Sequence, residues 1–355
     1  MPRRQGHRGR GATSAPDGRF STRPVDYDDA EAHARAQHAP ATSIRAMPAG
    51  RIISSNNSPD VPFDRSINPY QGCEHGCVYC YARPSHSYLD LSPGLDFETQ
   101  IFYKPNAVAK LLEAWEAPGY DCKPITLGAN TDPYQPAERR LELTRDLLAA
   151  FLQHRHPVSI ITKGSLICRD IDLLAELAAS DLCSVAISLP TLDPDLKRIM
   201  EPRVPSAASR LNAINALTAA GVPTSVLVAP LIPAINDHEL ETILQTAASA
   251  GAEAARYIFL RLPHEVKAIF ADWLSVHFPD RADRVSSLMR QAAGGRDYDS
   301  RYGFRQTGRG PYAEMLASRF AAASRRFGLQ PRARQESLDC RQFTKPGQQQ
   351  LHLTF

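Results

Sequence analysis

Three cysteines lie within eight positions of the sequence, at Cys73, Cys77 and Cys80. Three thiolates in one short loop can hold three of the irons of a [4Fe–4S] cluster. The next cysteine, Cys122, lies more than forty residues further along, so one iron would lack a protein ligand. An open coordination position is typical of a catalytic metal rather than a structural one. The spacing therefore predicts a catalytic iron–sulfur centre.

The same cysteines could instead bind zinc, with His75 or His86 as the fourth ligand. Zinc ribbons usually contain two separate pairs of cysteines, and this sequence has no second pair. Zinc binding would make the chain a zinc-stabilised interaction module, and metal analysis would separate the two hypotheses.

The rest of the sequence predicts the scaffold that positions these cysteines. Short apolar strands alternate with helical patterns, which is typical of a parallel sheet covered on both faces. With an early strand near Ser66–Tyr70, the chain has about six βα units, which fits either an open doubly wound sheet or a partial barrel. In both folds the chemistry lies at the carboxyl ends of the strands. The predicted strands are Pro124–Ala129, Val158–Thr162, Leu182–Leu189, Thr224–Ala229 and Ala255–Leu262, and the predicted helices are Pro136–His154, Asp170–Ala179, Pro205–Ala220, Asp237–Ala250 and His264–His277.

The cysteine motif follows the first predicted strand and has an aromatic residue, Tyr79, just before its last cysteine. This arrangement resembles that of the radical S-adenosylmethionine (SAM) superfamily over roughly residues 60–280. The resemblance implies an α/β fold, a partial (β/α)6 TIM-like barrel, in which the open iron binds the amino and carboxylate groups of SAM. It also implies that an electron from a reductant such as flavodoxin or ferredoxin cleaves SAM. The resulting 5′-deoxyadenosyl radical would then abstract a hydrogen atom from a substrate.

Polar residues at the ends of the predicted strands are the candidates for binding SAM. The family binds the SAM amino group after the second strand, where Thr131 and Asp132 offer oxygen acceptors for an ammonium group. Lys163 ends the third strand and would pair with the SAM carboxylate, while Ser188 ends the fourth and would bond the ribose hydroxyls. Tyr79 completes the set beside the cluster. Thr131, Asp132, Lys163 and Ser188 also have a structural interpretation as turn, capping or solvent-facing residues.

The order Thr131-Asp132-Pro133, then Lys163, then Ser188 resembles the spore photoproduct lyase-like group of the superfamily. The type member of that group reverses a thymine dimer lesion in DNA. It carries a hydrogen-donating cysteine just before the corresponding run, where this chain has Ala129. Cys168 would be a substitute donor, but its apolar neighbours favour a position in the core.

The composition, with 43% hydrophobic and 22% charged residues, is typical of a globular protein with a core. No apolar run reaches the ~18 residues of a membrane span, and no secretory signal pattern is visible, so we expect a cytoplasmic protein. The net charge of +3 divides into +5 for residues 1–24, −10 for residues 25–280 and +8 for residues 281–335. Arginine matches phosphate geometry well, so the two basic flanks favour a polyanionic partner, although they would also suit solvated surfaces.

Four regions follow from these patterns. We expect a disordered Arg-rich tail over residues 1–45, the barrel over 46–280, an Arg- and aromatic-rich helical or irregular extension over 281–335, and a flexible tail over 336–355. The extension would either bind phosphates and unstacked bases or cap the barrel. Its candidate contacts are Tyr298, Arg301, Tyr302, Phe304, Arg305, Arg309 and Tyr312.

The last six residues contain Gln350, Leu351, Leu353 and Phe355, a pattern that resembles the bacterial sliding-clamp binding motif. A flexible end would deliver a glutamine and spaced apolar side chains into a groove of the clamp, although such an end could also pair as an edge strand.

The sequence therefore predicts a radical SAM enzyme, with nucleic acid favoured over small molecules as the substrate of a repair or modification reaction. The alternative is a nucleic-acid-associated iron–sulfur redox sensor without catalysis. Thr131, Lys163 and Ser188 argue against the sensor, because a sensor needs no SAM pocket.

Overall fold

The computed structural model describes residues 9–20, 41–296, 300–329 and 338–347. Its main layer is a seven-stranded sheet in the order β10-β9-β8-β7-β6-β3-β2, in which β2 is antiparallel to β3 and the other pairs are parallel. The sheet therefore contains the six parallel strands of a partial (β/α)6 barrel. The strands of the chain are β1 (Ser43–Ala46), β2 (Ile53–Ser55), β3 (Arg65–Ile67), β4 (Tyr70–Gln71), β5 (Gln100–Tyr103), β6 (Ile125–Leu127), β7 (Val158–Thr162), β8 (Cys183–Ser188), β9 (Thr224–Leu231) and β10 (Ala254–Phe259).

Helices cover the outer face of the sheet, and the core lies between the two layers. The apolar faces of the predicted helices form one side of this core. Their side chains Leu147, Phe151, Leu177 and Leu244 are fully buried. No helix in the described part of the chain is both long enough and apolar enough to span a bilayer. The helices are α1 (Asp96–Thr99), α2 (Ala107–Glu116), α3 (Glu138–Leu141), α4 (Leu143–Gln153), α5 (Ile171–Ala178), α6 (Pro194–Met200), α7 (Ala207–Ala219), α8 (Leu240–Ser249), α9 (Val266–His277), α10 (Ala282–Ala292) and α11 (Pro311–Arg326).

The predicted helix over residues 136–154 is divided in two at Glu142, whose φ of 53° is left-handed. The reason is the buried carboxylate of Glu138, which accepts the backbone N–H of Thr144 at 3.1 Å and so caps the start of α4. The same carboxylate accepts a hydrogen bond from Arg169 at 2.7 Å. A buried acidic group therefore ends one helix and begins the next.

A second sheet of three strands was not predicted. It has the order β1-β5-β4, with β1 parallel and β4 antiparallel to β5. Because β4 ends at Gln71, this sheet leads directly into the loop that contains Cys73, Cys77 and Cys80, which we name the cysteine loop. The N–H of Cys73 donates to the carbonyl of Phe97 at 2.9 Å. The small sheet thus fixes one side of the loop.

Residues 338–347 pack against the amino ends of the strands, opposite the cysteine loop, so the prediction of a flexible tail is wrong for this segment. The N–H of Asp339 donates to the carbonyl of Asp181, just before β8, at 3.0 Å. The ring of Phe343 lies 4.9 Å from that of His156, just before β7. Aromatic packing against the barrel therefore overrides the polar composition of the segment.

The buried ring of His156 makes the stability of this end dependent on pH. The ring stacks on Trp115 at 4.8 Å, and its Nε2 lies 2.8 Å from the hydroxyl of Tyr120. Burial lowers the pKa of His156 from 6.5 to about 3. Between these two values the unfolded chain binds a proton that the folded chain does not, so stability falls as the pH falls below 6.5.

We expect the free energy of unfolding to decrease by about 2 kcal/mol between pH 7 and pH 5 because of His156. Urea unfolding at both pH values would measure the loss. His156→Gln should reduce the dependence by that amount, whereas replacement of the exposed His238 by Gln should leave it intact. An equal pH dependence in wild type and His156→Gln would contradict the assignment.

Candidate active site

The carboxyl ends of the parallel strands open into one cavity of about 510 Å³. The loop after β4 contributes the cysteines to its wall, and the ends of β6, β7 and β8 contribute the polar side chains. The structure therefore brings the eight candidate residues to one place, as expected for parallel strands whose carboxyl ends meet at one edge. These residues are Cys73, Cys77, Tyr79, Cys80, Thr131, Asp132, Lys163 and Ser188.

The cysteine loop is held from inside by Arg83, which is completely buried. Its guanidinium group donates to the carbonyl of Cys77 at 3.0 Å and to the carboxylate of Glu98, which is also completely buried. Its remaining hydrogen bonds go to backbone carbonyls of the same loop region, so all its nitrogens have acceptors. Those carbonyls belong to Gly76 at 3.3 Å, Pro93 at 3.1 Å and Gly94 at 2.8 Å.

Residues 9–20 cover the same loop from outside, and we name this segment the strap. The N–H groups of Gly11 and Ala12 donate to the carboxylate of Glu98 at 3.0 and 2.8 Å. Gly11 contacts Gly76 so closely that an added Cβ would lie 1.8 Å from the Gly76 carbonyl oxygen. The prediction of a disordered tail over residues 1–45 is therefore wrong for the strap, because a buried carboxylate far along the chain binds its backbone.

The three cysteine side chains fit an iron–sulfur cluster as donors. Burial and then the charge of Asp132 raise the pKa of Cys73, and burial raises the pKa of Cys77 and Cys80, so metal coordination would be needed to deprotonate them. In the described ranges, no three His, Cys, Asp or Glu side chains are gathered as ligands of one ion. A cubane takes one thiolate on each of three irons, so its ligands do not share an ion.

The two histidines of the zinc hypothesis have other partners. His86 Nε2 lies 2.9 Å from the carbonyl oxygen of Gln100, and the ring packs edge-on against Phe97 at 5.2 Å. His75 Nδ1 lies 3.3 Å from Asp132 Oδ2, within ion-pair range but without hydrogen-bond geometry. Neither ring is thus committed to the thiols.

Asp132, whose side chain is 10% exposed, connects the cysteine loop to β7. Its carboxylate accepts the hydroxyl of Thr162 at 2.5 Å and the backbone N–H of Lys163 at 2.8 Å. Burial would raise its pKa, but His75 and these hydrogen bonds lower it to about 2, so the group is ionised. Thr131 donates its hydroxyl to the carbonyl of Tyr70 at 2.9 Å. Both residues therefore have structural partners, and both also line the cavity.

Lys163 supplies a positive charge beside the cysteines. Its ammonium nitrogen lies 5.8 Å from the ring centre of Tyr79. Burial alone would lower its pKa, but Cys77, Glu201 and Asp132 outweigh burial and raise it. The hydroxyl of Tyr79 donates to Glu201, which holds the ring in place.

Ser188 lies at the end of β8, where its hydroxyl donates to the carbonyl of Ala229 at 3.2 Å. Its own carbonyl accepts from the buried Arg210 at 2.9 Å. The position of the hydroxyl is therefore fixed between neighbouring strand ends. Cys168 packs against the core and is not part of the cavity wall, as the sequence favoured.

Several wall residues were not singled out from the sequence. Tyr81 donates its hydroxyl to the carbonyl of Ala129, at the position where the lyase has its cysteine. Arg261 follows β10, and its guanidinium carbon lies 5.3 Å from the ring centre of Tyr81. The sequence offered a signal for both residues: Tyr81 directly follows the last cysteine of the motif, and Arg261 is the second-last residue of the predicted strand Ala255–Leu262.

The C-terminal extension packs on the barrel and also reaches the cavity, and its binding of phosphates or bases stays a prediction. Arg319 on α11 binds Glu241 on α8 at 2.7 Å and so closes the barrel surface, whereas Arg305 and Gln306 reach the cavity. Arg305 is paired with Asp60. Tyr298 and the clamp-motif residues Gln350, Leu351, Leu353 and Phe355 lie outside the described residues, so clamp binding stays a prediction.

Comparisons with known proteins agree with this geometry. The sequence profile described as the Radical SAM superfamily matches residues 67–247. An uncharacterized protein of Mycobacterium bovis is 40% identical over 237 residues, which cover 66% of this chain and 70% of that protein. An uncharacterized protein of Methanocaldococcus jannaschii is 26% identical over 221 residues, which cover 62% of this chain and 79% of that one.

Solved structures of spore photoproduct lyase are similar in fold. A cysteine-to-serine mutant aligns with a TM-score of 0.61 and 15% identity over 88% of this chain and 87% of the lyase. The lyase complexed with dinucleoside spore photoproduct aligns with a TM-score of 0.59 and 14% identity over 81% of this chain and 80% of the lyase. At this identity the likeness concerns the fold alone.

Proposed function

Because this chain belongs to the radical SAM superfamily, we propose that it cleaves SAM reductively at a [4Fe–4S] cluster to a 5′-deoxyadenosyl radical that abstracts hydrogen from a substrate. Cys73, Cys77 and Cys80 would hold the cluster. The observation that carries the proposal is that these thiols share one cavity with the polar residues at the strand ends. A redox sensor would not need such a combination.

The side chains of the cavity suit the functional groups of SAM. The Lys163 ammonium would bind the carboxylate, and the ionised Asp132 with the Thr131 segment would attract the amino group. The Ser188 hydroxyl can accept hydrogen bonds from the ribose, since it already donates to Ala229. Tyr79 would line the SAM site beside Lys163. With these roles, the ammonium and carboxylate groups of SAM would both lie near the cysteine loop.

For the substrate we propose a nucleic acid, modified or repaired by hydrogen abstraction. The arginines Arg261 and Arg305 in the cavity wall and the net charge of +8 over residues 281–335 support this choice. A structurally similar lyase has been solved in complex with dinucleoside spore photoproduct. Ala129 stands where that lyase has its donor cysteine, so the reaction need not be the same one.

The test is anaerobic reconstitution with iron and sulfide, followed by addition of SAM and dithionite and chromatography for 5′-deoxyadenosine. We expect 5′-deoxyadenosine from the wild type and from the control Cys168→Ala, whose thiol lies outside the cavity wall. Cys77→Ala should form less than about 1% of the wild-type amount, because a missing ligand prevents cluster binding. A fully loaded wild-type cluster that forms none, even with oligonucleotides present, would reject the proposal and favour the redox sensor.

A further inference from the structure

We propose that Arg261 is the site at which the cavity binds a phosphodiester group of the substrate. The inference rests on the proposed function, since it assigns the substrate end of the same cavity.

The backbone just before Arg261 is fixed. The N–H of Phe259 donates to the carbonyl of Gln306 at 2.7 Å, and the N–H of Leu260 donates to the carbonyl of Leu231 at 3.0 Å. Arg261 lies two residues after the carboxyl end of β10 and lines the cavity. Its side chain is thus presented from a rigid strand end rather than from a surface loop.

Among the described residues, no acidic side chain neutralises the charge of Arg261. In the part of the chain that the structure describes, no carboxylate lies within ion-pair distance of its guanidinium group, and its buried Nε has no hydrogen-bond acceptor. Arg305, by contrast, is paired with Asp60 in the same wall. A partly buried guanidinium group with free donors is stabilised by an anion that accepts two hydrogen bonds, as phosphate does.

The ring beneath Arg261 is also fixed, because the hydroxyl of Tyr81 donates to the carbonyl of Ala129. Tyr79 and Tyr81 flank Cys80 in the sequence, and each ring has one cation beside it, Lys163 and Arg261 respectively. Besides Arg305, which is paired with Asp60, the described cavity wall therefore has two separate positive charges, those of Lys163 and Arg261. SAM has one carboxylate, which the proposed function assigns to Lys163, so the second anion belongs to the substrate.

The experiment measures the binding of a fluorescein-labelled single-stranded DNA of about 12 nucleotides. We expect Arg261→Gln to weaken binding about 10- to 100-fold and to reduce the slope of log Kd against log salt by about 0.7, the value for one phosphate on a single strand. Arg261→Lys should keep the slope and lose only part of the affinity. Arg256→Gln removes a charge from the exposed side of the same strand and should change neither quantity.

Two further measurements separate the possible failures. A methylphosphonate oligonucleotide, which lacks the phosphate charges, should bind wild type and Arg261→Gln equally weakly. Equal binding of the charged oligonucleotide by wild type and Arg261→Gln would overturn the assignment of Arg261. Formation of 5′-deoxyadenosine by the wild type is recorded in parallel, and its absence would reject the proposed function instead.

Discussion

Replacing Arg83 with Met should reduce the free energy of unfolding by about 3–5 kcal/mol, because it leaves the carboxylate of Glu98 buried without its cationic partner. It also removes the hydrogen bond to the carbonyl of Cys77, so we expect the reconstituted variant to contain little iron. Urea unfolding and iron analysis after anaerobic reconstitution would measure both effects.

The matched control is Arg198→Met. Arg198 forms an ion pair with Asp195 at 3.0 Å, but both side chains are largely exposed, so its loss should cost no more than about 1 kcal/mol. The double variant Arg83→Met with Glu98→Met should recover part of the stability, since no unpaired charge remains. If Arg83→Met and Arg198→Met had similar unfolding midpoints, Arg83 would not be the internal support of the loop.

Replacing Gly11 with Ala should detach the strap from the cysteine loop. The added methyl group would meet a backbone carbonyl, that of Gly76, which has no side-chain freedom with which to move aside. Gly76 is itself held at a φ of 67°, with Glu98 Oε2 2.7 Å from the place of its own Cβ. Because the Gly76 backbone is itself packed against Glu98, we expect the strap to move away instead, with loss of the hydrogen bonds of Gly11 and Ala12 to Glu98.

Limited trypsin digestion would report the detachment at Arg10 and Arg19. Each hydrogen bond to the charged Glu98 is worth about 1.5–3 kcal/mol, so cleavage within the strap should become more than about tenfold faster. Gly50→Ala is the control, because Gly50 has open space around its Cα and a backbone that other residues adopt. A cleavage rate in Gly11→Ala equal to that of the control would show that the strap is not held by this contact.

The six parallel strands and most of their helices could be predicted, because each depends on a local pattern of apolar residues. The eight candidate residues could be predicted to converge for a related reason: the carboxyl ends of parallel strands meet at one edge. Thr131 and Lys163 follow two such strands, Ser188 ends a third, and all three residues line one cavity. Their proposed contacts with SAM stay predictions.

Other features leave no local signal in the sequence. Tyr70 and Gln71 form a strand of two residues, which is too short to show an alternating pattern. The division of the helix at Glu142 depends on the burial of Glu138, which follows from packing and not from propensity. Gly11 lies in an Arg- and Gly-rich stretch whose composition indicates disorder, and its partner is a carboxylate elsewhere in the fold.

The strap also constrains the order in which the protein can be assembled during translation. Its contacts with Glu98 span 86 to 88 positions of the chain. At about 5–20 residues per second, a ribosome needs roughly 4 to 18 s to add that length. During this time the strap lacks the Glu98 groups that accept its hydrogen bonds. Cys73, Cys77 and Cys80 are also synthesised before Glu98. The strap is thus synthesised before the cysteine loop that it covers. It can bind in its final position only after Glu98 has been added to the chain.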